Sequence, residues 1–425
     1  MMERGQKVWW VRLSLITGVG FLLRLAFVLT ATRYDPPLGD QLYYSAQALT
    51  NAQGRWFQQP FARGFPAADH PPLTSLILTP ATWLTESAGS FITAQRLTMV
   101  VIGTASILLM GLIGRRIAGL TAGLVAAGVT AVYANVWVND ALIMAETPTF
   151  FLVATVTYVA LGYRSSPTLR TSIALGCLAG LAALTRPELL VLAVLLCALA
   201  IALWRQQRMQ NIEVAKHLGS IVIAGLLVVA PWILWNQSRF TDSVYLSTND
   251  GLTFAGANCD RTYYDDIGSW DIWCAYETQV PEGADASQAS SLMRRDGLQY
   301  LKDHLGRYPV VAIARIARVL SLGYIGSNNN AAAAEGHPPW VSMLGVIQFW
   351  MLGLGAMFGY RRVQQRIDRL ILIVMLPVIL LVAMVANAYV RFRLPAEVGL
   401  IVLASLGFIH LVGLRRRREV SFASE

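Results

Sequence analysis

The stretch that decides the fold lies at residues 34–73, the first long polar segment after the first hydrophobic span. It contains Gly39-Asp40-Gln41-Leu42-Tyr43-Tyr44 and ends in Asp69-His70-Pro71-Pro72-Leu73. The spacing predicts a helix from residue 39 to about residue 51 with two different faces. Its polar face is formed by Asp40, Tyr43, Tyr44 and Gln47. Its apolar face is formed by Leu42, Ala46 and Leu49. Such a helix lies flat at a membrane surface, with Asp40 in its first turn, where the helix dipole favours the carboxylate.

The composition is that of a membrane protein. Of the 425 residues, 55% are hydrophobic and 14% are charged, whereas soluble domains carry about a quarter charged residues. The net charge is +9. Because the basic residues cluster in short loops between apolar spans, this charge does not indicate a nucleic-acid partner.

About ten apolar stretches are long enough to cross a bilayer, at roughly 17–25 residues each. They lie near residues 9–31, 91–113, 119–138, 141–162, 170–184, 188–204, 217–235, 340–359, 368–387 and 395–414. The fifth is short and is separated from the sixth only by Thr185-Arg186-Pro187-Glu188, so a single broken or re-entrant pair is an alternative there. The apolar run at 73–84 is broken by proline and predicts a second interfacial helix. The first span precedes no small-residue cleavage site, which favours an anchor over a signal peptide.

Loop charge predicts the orientation of these spans. If there are ten, the basic loops all fall on one side, which the positive-inside rule assigns to the cytoplasm together with both termini. The segments 32–90 and 236–339 then face outward, in a plasma (inner) membrane protein. We therefore divide the chain into an N-terminal transmembrane module (1–235) that includes the first outward loop (32–90), a second outward loop with interfacial helices (236–339), and C-terminal transmembrane helices with a basic cytoplasmic tail (340–425).

The second outward loop contains two cysteines, Cys259 and Cys274. An oxidising compartment allows them to form a disulfide. The Asp, Asn, Tyr and Trp residues of its first half are as typical of a sugar-contacting surface as of a membrane interface. Its second half, residues 290–324, is predicted to be helical and to carry Arg307, Arg315 and Arg318 near one face. These arginines would meet either lipid headgroups or the phosphate of a lipid-linked substrate.

Ionisable residues at the outward ends of spans are functional candidates, because burying a charge in lipid is costly. They are Asp140, Glu146, Arg186, Glu188, Arg391, Arg393 and Glu397. Arginines at outward turns run against the orientation rule. A phosphate at membrane depth would account for them, since a guanidinium offers planar, bidentate donors. The alternative for each is a structural pair with a nearby acid.

The order of these features resembles the membrane-embedded GT-C glycosyltransferases, in the branch similar to protein mannosyltransferases and the lipid A aminoarabinose transferase (glycosyltransferase family 39 type). The resemblance lies in the two motifs of residues 34–73 and in Gln95-Arg96-Leu97, Gly180-Leu181-Ala182-Ala183-Leu184-Thr185-Arg186-Pro187 and Arg391-Phe392-Arg393-Leu394-Pro395. It covers nearly the whole chain, and it implies an all-α polytopic membrane protein with the GT-C fold and a polyprenyl-phosphate sugar donor. The chain differs from the protein mannosyltransferases proper in having Asp40 where they have an Asp-Glu pair, and in lacking a large soluble insertion. Both differences put a protein acceptor in doubt.

Transfer from such a donor predicts the composition of the site. The transition state resembles an oxocarbenium ion, cations must stabilise the departing lipid phosphate, and the acceptor hydroxyl needs a carboxylate to take its proton. We therefore predict that Asp40 is the catalytic base. The donor phosphate-binding candidates are Arg186, Arg391, Arg393, His70 and His337. The substrate- or sugar-binding candidates are Tyr43, Tyr44, Asp140 and Glu146.

The predicted activity is an inverting hexosyl- or pentosyltransfer on the extracytoplasmic side, to a hydroxyl of a glycan, lipid or protein, in contact with membrane lipids. No cofactor is indicated, although a divalent metal stays open. A lipid-linked sugar flippase or transporter is the rival from another class, and it should show internal repeats, which the two halves of the sequence lack. An oligosaccharyltransferase is the rival among enzymes. Ser269-Trp270-Asp271-Ile272-Trp273 is only superficially like its Trp-Trp-Asp signature, and only a short tail follows the last span.

Overall fold

A computed structural model describes residues 2–84, 88–207, 210–386 and 388–422, so the end of the predicted basic tail (423–425) lies outside the described residues. The described chain forms no strand beyond one isolated bridge between Gln58 and Pro66. The helices are α1 (Met2–Phe27), α2 (Asp40–Ala52), α3 (Leu73–Trp83), α4 (Ala88–Val132), α5 (Ala134–Trp137), α6 (Glu146–Ser165), α7 (Leu169–Ala183), α8 (Val191–Gln207), α9 (Asn211–Gln237), α10 (Asn249–Ala257), α11 (Ile272–Tyr276), α12 (Ala286–Asp303), α13 (Tyr308–Val319), α14 (Ile325–Ala334), α15 (Pro339–Tyr360), α16 (Arg366–Ile373), α17 (Met375–Val385) and α18 (Leu394–Phe422). The all-α prediction is confirmed.

Single turns of 3-10 or π-helix connect or extend these helices, at Val28–Thr32, Asn139–Ala141, Pro187–Leu190, Arg261–Asp265 and Val390–Arg393. Two of them matter for the site. The turn Pro187–Leu190 follows Arg186, and the turn Val390–Arg393 contains Arg391 and opens α18.

By length and composition, 7 helical segments of the described chain are able to cross a membrane. They are Gly5–Thr32, Gly89–Val132, Pro187–Gln207, Asn211–Gln237, Pro339–Tyr360, Arg366–Val385 and Val390–Gly413. The protein is therefore a multi-pass membrane protein, while the count of ten spans remains a prediction. The predicted fifth span corresponds to the shorter apolar helix Leu169–Ala183.

The predicted second and third spans are the two limbs of α4. The helix is broken by non-helical backbone at Ala118 and Gly119, where Gly119 has a φ of 85°. Gly111 and Gly123 lie on opposite sides of this break and are in contact, since a Cβ added to Gly123 would lie 2.5 Å from the carbonyl oxygen of Gly111. Twelve residues of straight helix would separate them by about 18 Å. The limbs therefore fold back on each other.

The segment predicted as the first outward loop (32–90) contains the helices α2 and α3. Helix α2 runs from Asp40 to Ala52, and its predicted polar face is turned inward, because Tyr43, Tyr44 and Gln47 are buried while Leu42 is exposed. Helix α3 starts at the predicted position, and the amide of Leu73 donates to the carbonyl of Leu184 at the end of α7 (3.0 Å). This bond ties the first outward loop to the turn that contains Arg186.

In the segment predicted as the second outward loop (236–339), one prediction is confirmed and another is wrong. Cys259 and Cys274 form a disulfide with their Cα atoms 5.9 Å apart, and helices α12 and α13 cover most of residues 290–324. Arg315 and Arg318, however, face the protein. Both are buried, Arg315 donates to the carbonyls of Met384 and Ala257, and Arg318 pairs with Asp266. The expectation that these two arginines meet lipid headgroups or a donor phosphate is therefore wrong.

The C-terminal helices are built into the bundle. Helices α15 and α18 approach so closely that a Cβ on Gly359 would lie 1.7 Å from the carbonyl oxygen of Leu403, the small-residue packing typical of membrane helices. One apolar core combines Phe150 of α6, Leu175 of α7 and Ile401 of α18. This packing brings the Arg391 turn to the N-terminal part of the chain.

Candidate active site

Asp40 is the first residue of α2, and two basic side chains meet its carboxylate. Oδ2 lies 2.8 Å from Nη2 of Arg391, and Oδ1 lies 3.5 Å from Nε2 of His70. The His70 ring packs in turn against the rings of Tyr44 and Tyr43, with centroids 4.8 and 5.1 Å away. The predicted neighbours of Asp40 on the first outward loop therefore do surround it, and its side chain stays 32% exposed.

Arg391 is the centre of the site, because three acids from different parts of the chain share it. Besides Asp40, its Nη2 lies 2.8 Å from Oε1 of Glu335, and its Nη1 lies 3.7 Å from Oε1 of Glu146. The same Glu146 oxygen accepts from Nη1 of Arg186 at 3.0 Å. We call Asp40, Glu146, Arg186, Glu335 and Arg391 the ion cluster.

Arg186 is fixed at one end of the ion cluster. Its Nε donates to Glu188 at 2.7 Å, and its guanidinium carbon lies 4.1 Å from the centre of the Phe392 ring. The guanidinium carbon of Arg391 lies 5.2 Å from the same ring centre. Phe392 thus contacts both arginines, and cation–π attraction favours such an arrangement. The ring gives Arg391 and Arg186 a common support without consuming their hydrogen-bond donors.

Gln41, beside Asp40 in sequence, joins three segments behind the ion cluster. Its Nε2 donates to the carbonyl of Glu335 (2.7 Å), and its Oε1 accepts from the amide of Ile143 (3.2 Å). Gly336, with a φ of 88°, leaves room for this contact, because a Cβ there would lie 2.8 Å from Nε2 of Gln41. Gln41 therefore fixes the distance between Asp40 and Glu335.

The pKa values follow from this crowding. Burial raises the pKa of Asp40, but the charges of Arg391 and His70 and the hydrogen bonds from them lower it more, so it lies well below its usual range. Burial also raises the pKa of Glu335, and Arg391 opposes this shift, but the nearby Asp40 and Glu146 add to it and the pKa reaches about 8. Glu335 therefore carries a proton at neutral pH while Asp40 is ionised.

The surroundings of two predicted phosphate ligands, His337 and Arg393, do not favour phosphate binding. Burial, with help from Arg391, lowers the pKa of His337 to about 4, so it is a neutral imidazole rather than a cation. Arg393 is 1% exposed and bonded to Glu397 (2.7 Å) and to the carbonyl of Val319 (2.7 Å). These contacts are those of a structural pair, which is the alternative to phosphate binding.

Asp140, predicted to bind sugar, is paired elsewhere. Its Oδ2 lies 2.6 Å from Nε of Arg24, and its Oδ1 accepts from the hydroxyl of Thr147 at 2.8 Å. Both carboxylate oxygens thus have partners in the bundle, and the structure does not bring Asp140 to Asp40. Glu146, the other predicted acid, does lie in the ion cluster.

Sequence reasoning missed Glu335 and Gln41. The signal for Glu335 was available, because it is the one ionisable residue in Ile325–Gly336 and stands two positions before His337. Across the described ranges no group of three or more His, Cys, Asp or Glu side chains is arranged to hold a metal ion. Within the ion cluster the guanidinium of Arg391 occupies the position between carboxylates.

Comparison with known proteins adds a partial match to a family model and a fold. Residues 69–235 match the family model described as dolichyl-phosphate-mannose-protein mannosyltransferase. This range includes His70, Glu146 and Arg186 but not Asp40 or Arg391. No curated protein matches the sequence.

Among solved structures, the oligosaccharyltransferase of Archaeoglobus fulgidus in its apo form superimposes with a TM-score of 0.57 at 11% identity, over 98% of this chain and 52% of that one. The same archaeal enzyme, AglB, in complex with an inhibitory peptide and a dolichol-phosphate, gives a TM-score of 0.57 at 12% identity, over 99% of this chain and 52% of that one. ArnT from Cupriavidus metallidurans bound to undecaprenyl phosphate gives a TM-score of only 0.43 at 14% identity, over 91% of this chain and 77% of that one.

The chain thus spans about half the length of the archaeal enzyme, and at such low identity the superposition establishes the fold. The superposition agrees with the all-helical architecture of the described chain. The chain therefore has the fold of the archaeal oligosaccharyltransferase, and its residues 69–235 are similar to the mannosyltransferase family model.

Proposed function

We propose that the protein is an inverting glycosyltransferase that moves a single sugar from a polyprenyl-phosphate donor to an acceptor hydroxyl on the extracytoplasmic side of the plasma (inner) membrane. The observation that carries the proposal is the ion pair between Asp40 and Arg391, which joins the first outward loop to the last outward turn across 351 residues of sequence. A carboxylate and a guanidinium at one point are the two groups that this transfer needs.

The reaction assigns each group a role. The acceptor oxygen forms a bond to the anomeric carbon of the sugar while the bond from that carbon to the phosphate oxygen breaks. The lipid phosphate leaves with the electron pair, and the acceptor proton passes to Asp40. Attack opposite the leaving group inverts the anomeric configuration. Arg391, supported by Arg186, stabilises the negative charge that develops on the phosphate.

The resting site is not yet set for this chemistry, because the Arg391 contact makes Asp40 a weak base. A donor phosphate that binds Arg391 would displace the Asp40 carboxylate as its partner. The pKa of Asp40 would then rise towards its ordinary range, where the carboxylate accepts a proton more readily. Donor binding would thus activate the base.

The proton on Glu335 helps the donor to enter. An ionised Glu335 beside Arg391 would repel the phosphate, whereas the protonated carboxyl removes one negative charge from the ion cluster. The neutral His337 offers a hydrogen bond rather than a fixed charge, and Tyr43 and Tyr44 hold the His70 ring in place.

The test is transfer by purified protein in nanodiscs, with polyprenyl phosphates that carry radiolabelled mannose, glucose or arabinose and with lipid, glycan and peptide acceptors. We expect label to move from one of these donors to an acceptor hydroxyl with inversion, and the Asp40→Asn variant to slow this transfer by about 10²–10⁴-fold. Binding of every donor without transfer to any acceptor, together with movement of the intact donor across the bilayer, would contradict the proposal and favour a flippase.

The oligosaccharyltransferase alternative has the same fold, so the donor decides between the two. An oligosaccharyltransferase transfers a preassembled glycan to an amide nitrogen. Transfer from a lipid-linked oligosaccharide to an asparagine-containing peptide, with no use of the monosaccharide donors, would replace the proposed activity with that one.

A further inference from the structure

A cavity whose wall is mostly apolar, with several polar side chains, adjoins the ion cluster. It offers about 50 Å³ to the centres of water-sized groups, enough for several waters or for one small polar ring. Arg391, Glu335 and His337 line one part of it, and Asn139, Ser342 and Glu397 another. The cavity therefore begins at the guanidinium that also contacts Asp40.

Buried polar atoms in this cavity lack partners. Asn139 is 2% exposed and Glu397 is 1% exposed, yet Oδ1 of Asn139, Oε2 of Glu397 and the buried Oγ of Ser342 have no hydrogen-bond partner among the described residues. A buried polar group without a partner costs about 1–3 kcal/mol. Three such atoms around one cavity indicate that a hydrogen-bonding ligand completes them.

The remaining contacts of Asn139 and Glu397 hold two of these three atoms in fixed positions. Nδ2 of Asn139 donates to the carbonyl of Asn135 (2.6 Å), and Oε1 of Glu397 accepts from Arg393 (2.7 Å) and from the hydroxyl of Tyr133 (2.9 Å). Each side chain thus uses one end for the protein and leaves the other for the cavity. This is a preorganised site rather than a loose polar surface.

The chemistry of the lining matches a sugar. An amide, a hydroxyl and a carboxylate oxygen accept from or donate to ring hydroxyls, and Val138, Val346 and Leu394 offer apolar surface to the CH groups of a ring. The cationic group at the edge, Arg391, is the proposed phosphate ligand, so a ring in the cavity and a phosphate on Arg391 are adjacent, as in a sugar phosphate.

We propose that this cavity is the subsite for the donor sugar, and that Asn139, Ser342 and Glu397 determine which sugar is accepted. The proposal rests on the proposed function and deepens it. It also explains why Arg393 is buried where it is. By fixing Oε1 of Glu397 it positions Oε2 towards the sugar, which makes Arg393 a positioning residue rather than a phosphate ligand.

The test separates the sugar from the lipid phosphate. Affinities of protein in nanodiscs are measured for polyprenyl phosphate without a sugar and for the same lipid carrying mannose, glucose or arabinose. In the wild type we expect at least one sugar-bearing lipid to bind about tenfold or more tightly than the bare lipid. Ser342→Ala and Asn139→Ala should remove most of that difference and leave the affinity for the bare lipid unchanged.

A matched control is Ser405→Ala, which removes a buried serine of α18. The hydroxyl of Ser405 already has a partner, because it donates to the carbonyl of Ile401 (2.8 Å). It should keep the sugar preference. Unchanged sugar preference in both cavity variants would overturn the subsite, and so would an equal loss for bare and sugar-bearing lipid. If the wild type bound no polyprenyl phosphate at all, the proposed function itself would fail, which is a distinct result.

Discussion

Arg391 and Arg393 stand two residues apart in one turn, and the structure gives them opposite surroundings. Arg393 is 1% exposed and has a single acidic partner, Glu397, at 2.7 Å, together with fixed bonds to a carbonyl and a hydroxyl. Arg391 is 12% exposed and is shared by Asp40, Glu335 and Glu146. A phosphate has no access to the first arginine without breaking the bundle, whereas it needs only to exchange a carboxylate at the second.

The surroundings of Arg391 and Arg393 show how a structural arginine differs from a functional one. A buried arginine that pairs with one buried acid, as Arg393 does with Glu397, belongs to a structural pair, and removing it leaves the buried charge of that acid behind. An arginine with more acids than it can neutralise sits in a strained electrostatic balance, which a ligand can change. Glu335, whose pKa is raised to about 8 beside Arg391, reports that balance.

The largest effect is expected at Asp40. Asp40→Asn keeps the size of the side chain but cannot take the acceptor proton, so transfer should fall by about 10²–10⁴-fold, the range for a lost general base. Donor affinity should stay equal or increase, because Asn releases Arg391 for the phosphate. Initial rates and donor titrations in nanodiscs measure both quantities.

Asp35→Asn, five residues earlier in the same loop and exposed, is the matched control and should retain full transfer. Near-normal turnover in Asp40→Asn would remove Asp40 from the mechanism and leave Glu146 and Glu335 as the acids of the ion cluster that lie near Arg391.

Replacing Arg393 should mainly lower stability, whereas replacing Arg391 should mainly weaken donor binding. Arg393→Ala leaves Glu397 buried without its cation and should destabilise the protein by about 3–5 kcal/mol, seen as a large loss of thermal stability in detergent. Arg391→Ala should cost less stability but weaken donor binding by about ten- to a hundredfold, the value of a strong charge-assisted contact.

Arg261→Ala gives the baseline, because its pair with Asp271 is exposed (49% and 27%) and such pairs contribute about 0–1 kcal/mol. The opposite result would be an Arg391→Ala variant that is as unstable as Arg393→Ala and whose folded fraction binds donor normally. It would contradict the assignment of Arg393 to structure and of Arg391 to phosphate binding.

The smallest effect concerns Glu335. Its raised pKa means that it is protonated below about pH 8 and ionises above it. Ionisation adds a negative charge beside the proposed phosphate site, so kcat/KM for the donor should fall by about tenfold as the pH rises through 8. Glu335→Gln, which stays neutral, should lack this fall. An unchanged profile in the variant would assign the titration to another group.

Much of the fold could be predicted from the sequence because its cues are local. Apolar runs located the long helices, and the period of residues 39–51 predicted both the start of α2 and the face that became buried. The disulfide followed from two cysteines in one outward loop. The count of spans is harder, because α4 is one 45-residue helix by hydrogen bonding although it folds back at Gly119.

The site could be predicted only in part, since it depends on contacts between distant segments. The sequence indicated Asp40, His70, Glu146, Arg186 and Arg391, which the structure brings together. It could not separate Arg391 from Arg393, or Glu146 from Asp140, because partners such as Glu335 and Arg24 lie about 56 and 116 residues away. The helical Arg315 was predicted to meet a lipid headgroup or a donor phosphate, but its guanidinium donates to the carbonyls of Met384 and Ala257.

The central claim is that the donor phosphate takes Arg391 from Asp40 and thereby turns Asp40 into a base. The most direct measurement compares the acidic limbs of the pH profiles of kcat and kcat/KM, because the first reports the enzyme–donor complex and the second the free enzyme. In the free enzyme the pKa of Asp40 lies well below its usual range, and in the complex it should rise. We therefore expect the acidic limb of kcat to lie at higher pH than that of kcat/KM, and to vanish in Asp40→Asn. Coincident limbs, or a limb of kcat that lies at lower pH, would show that donor binding does not release Asp40, and would contradict the claim.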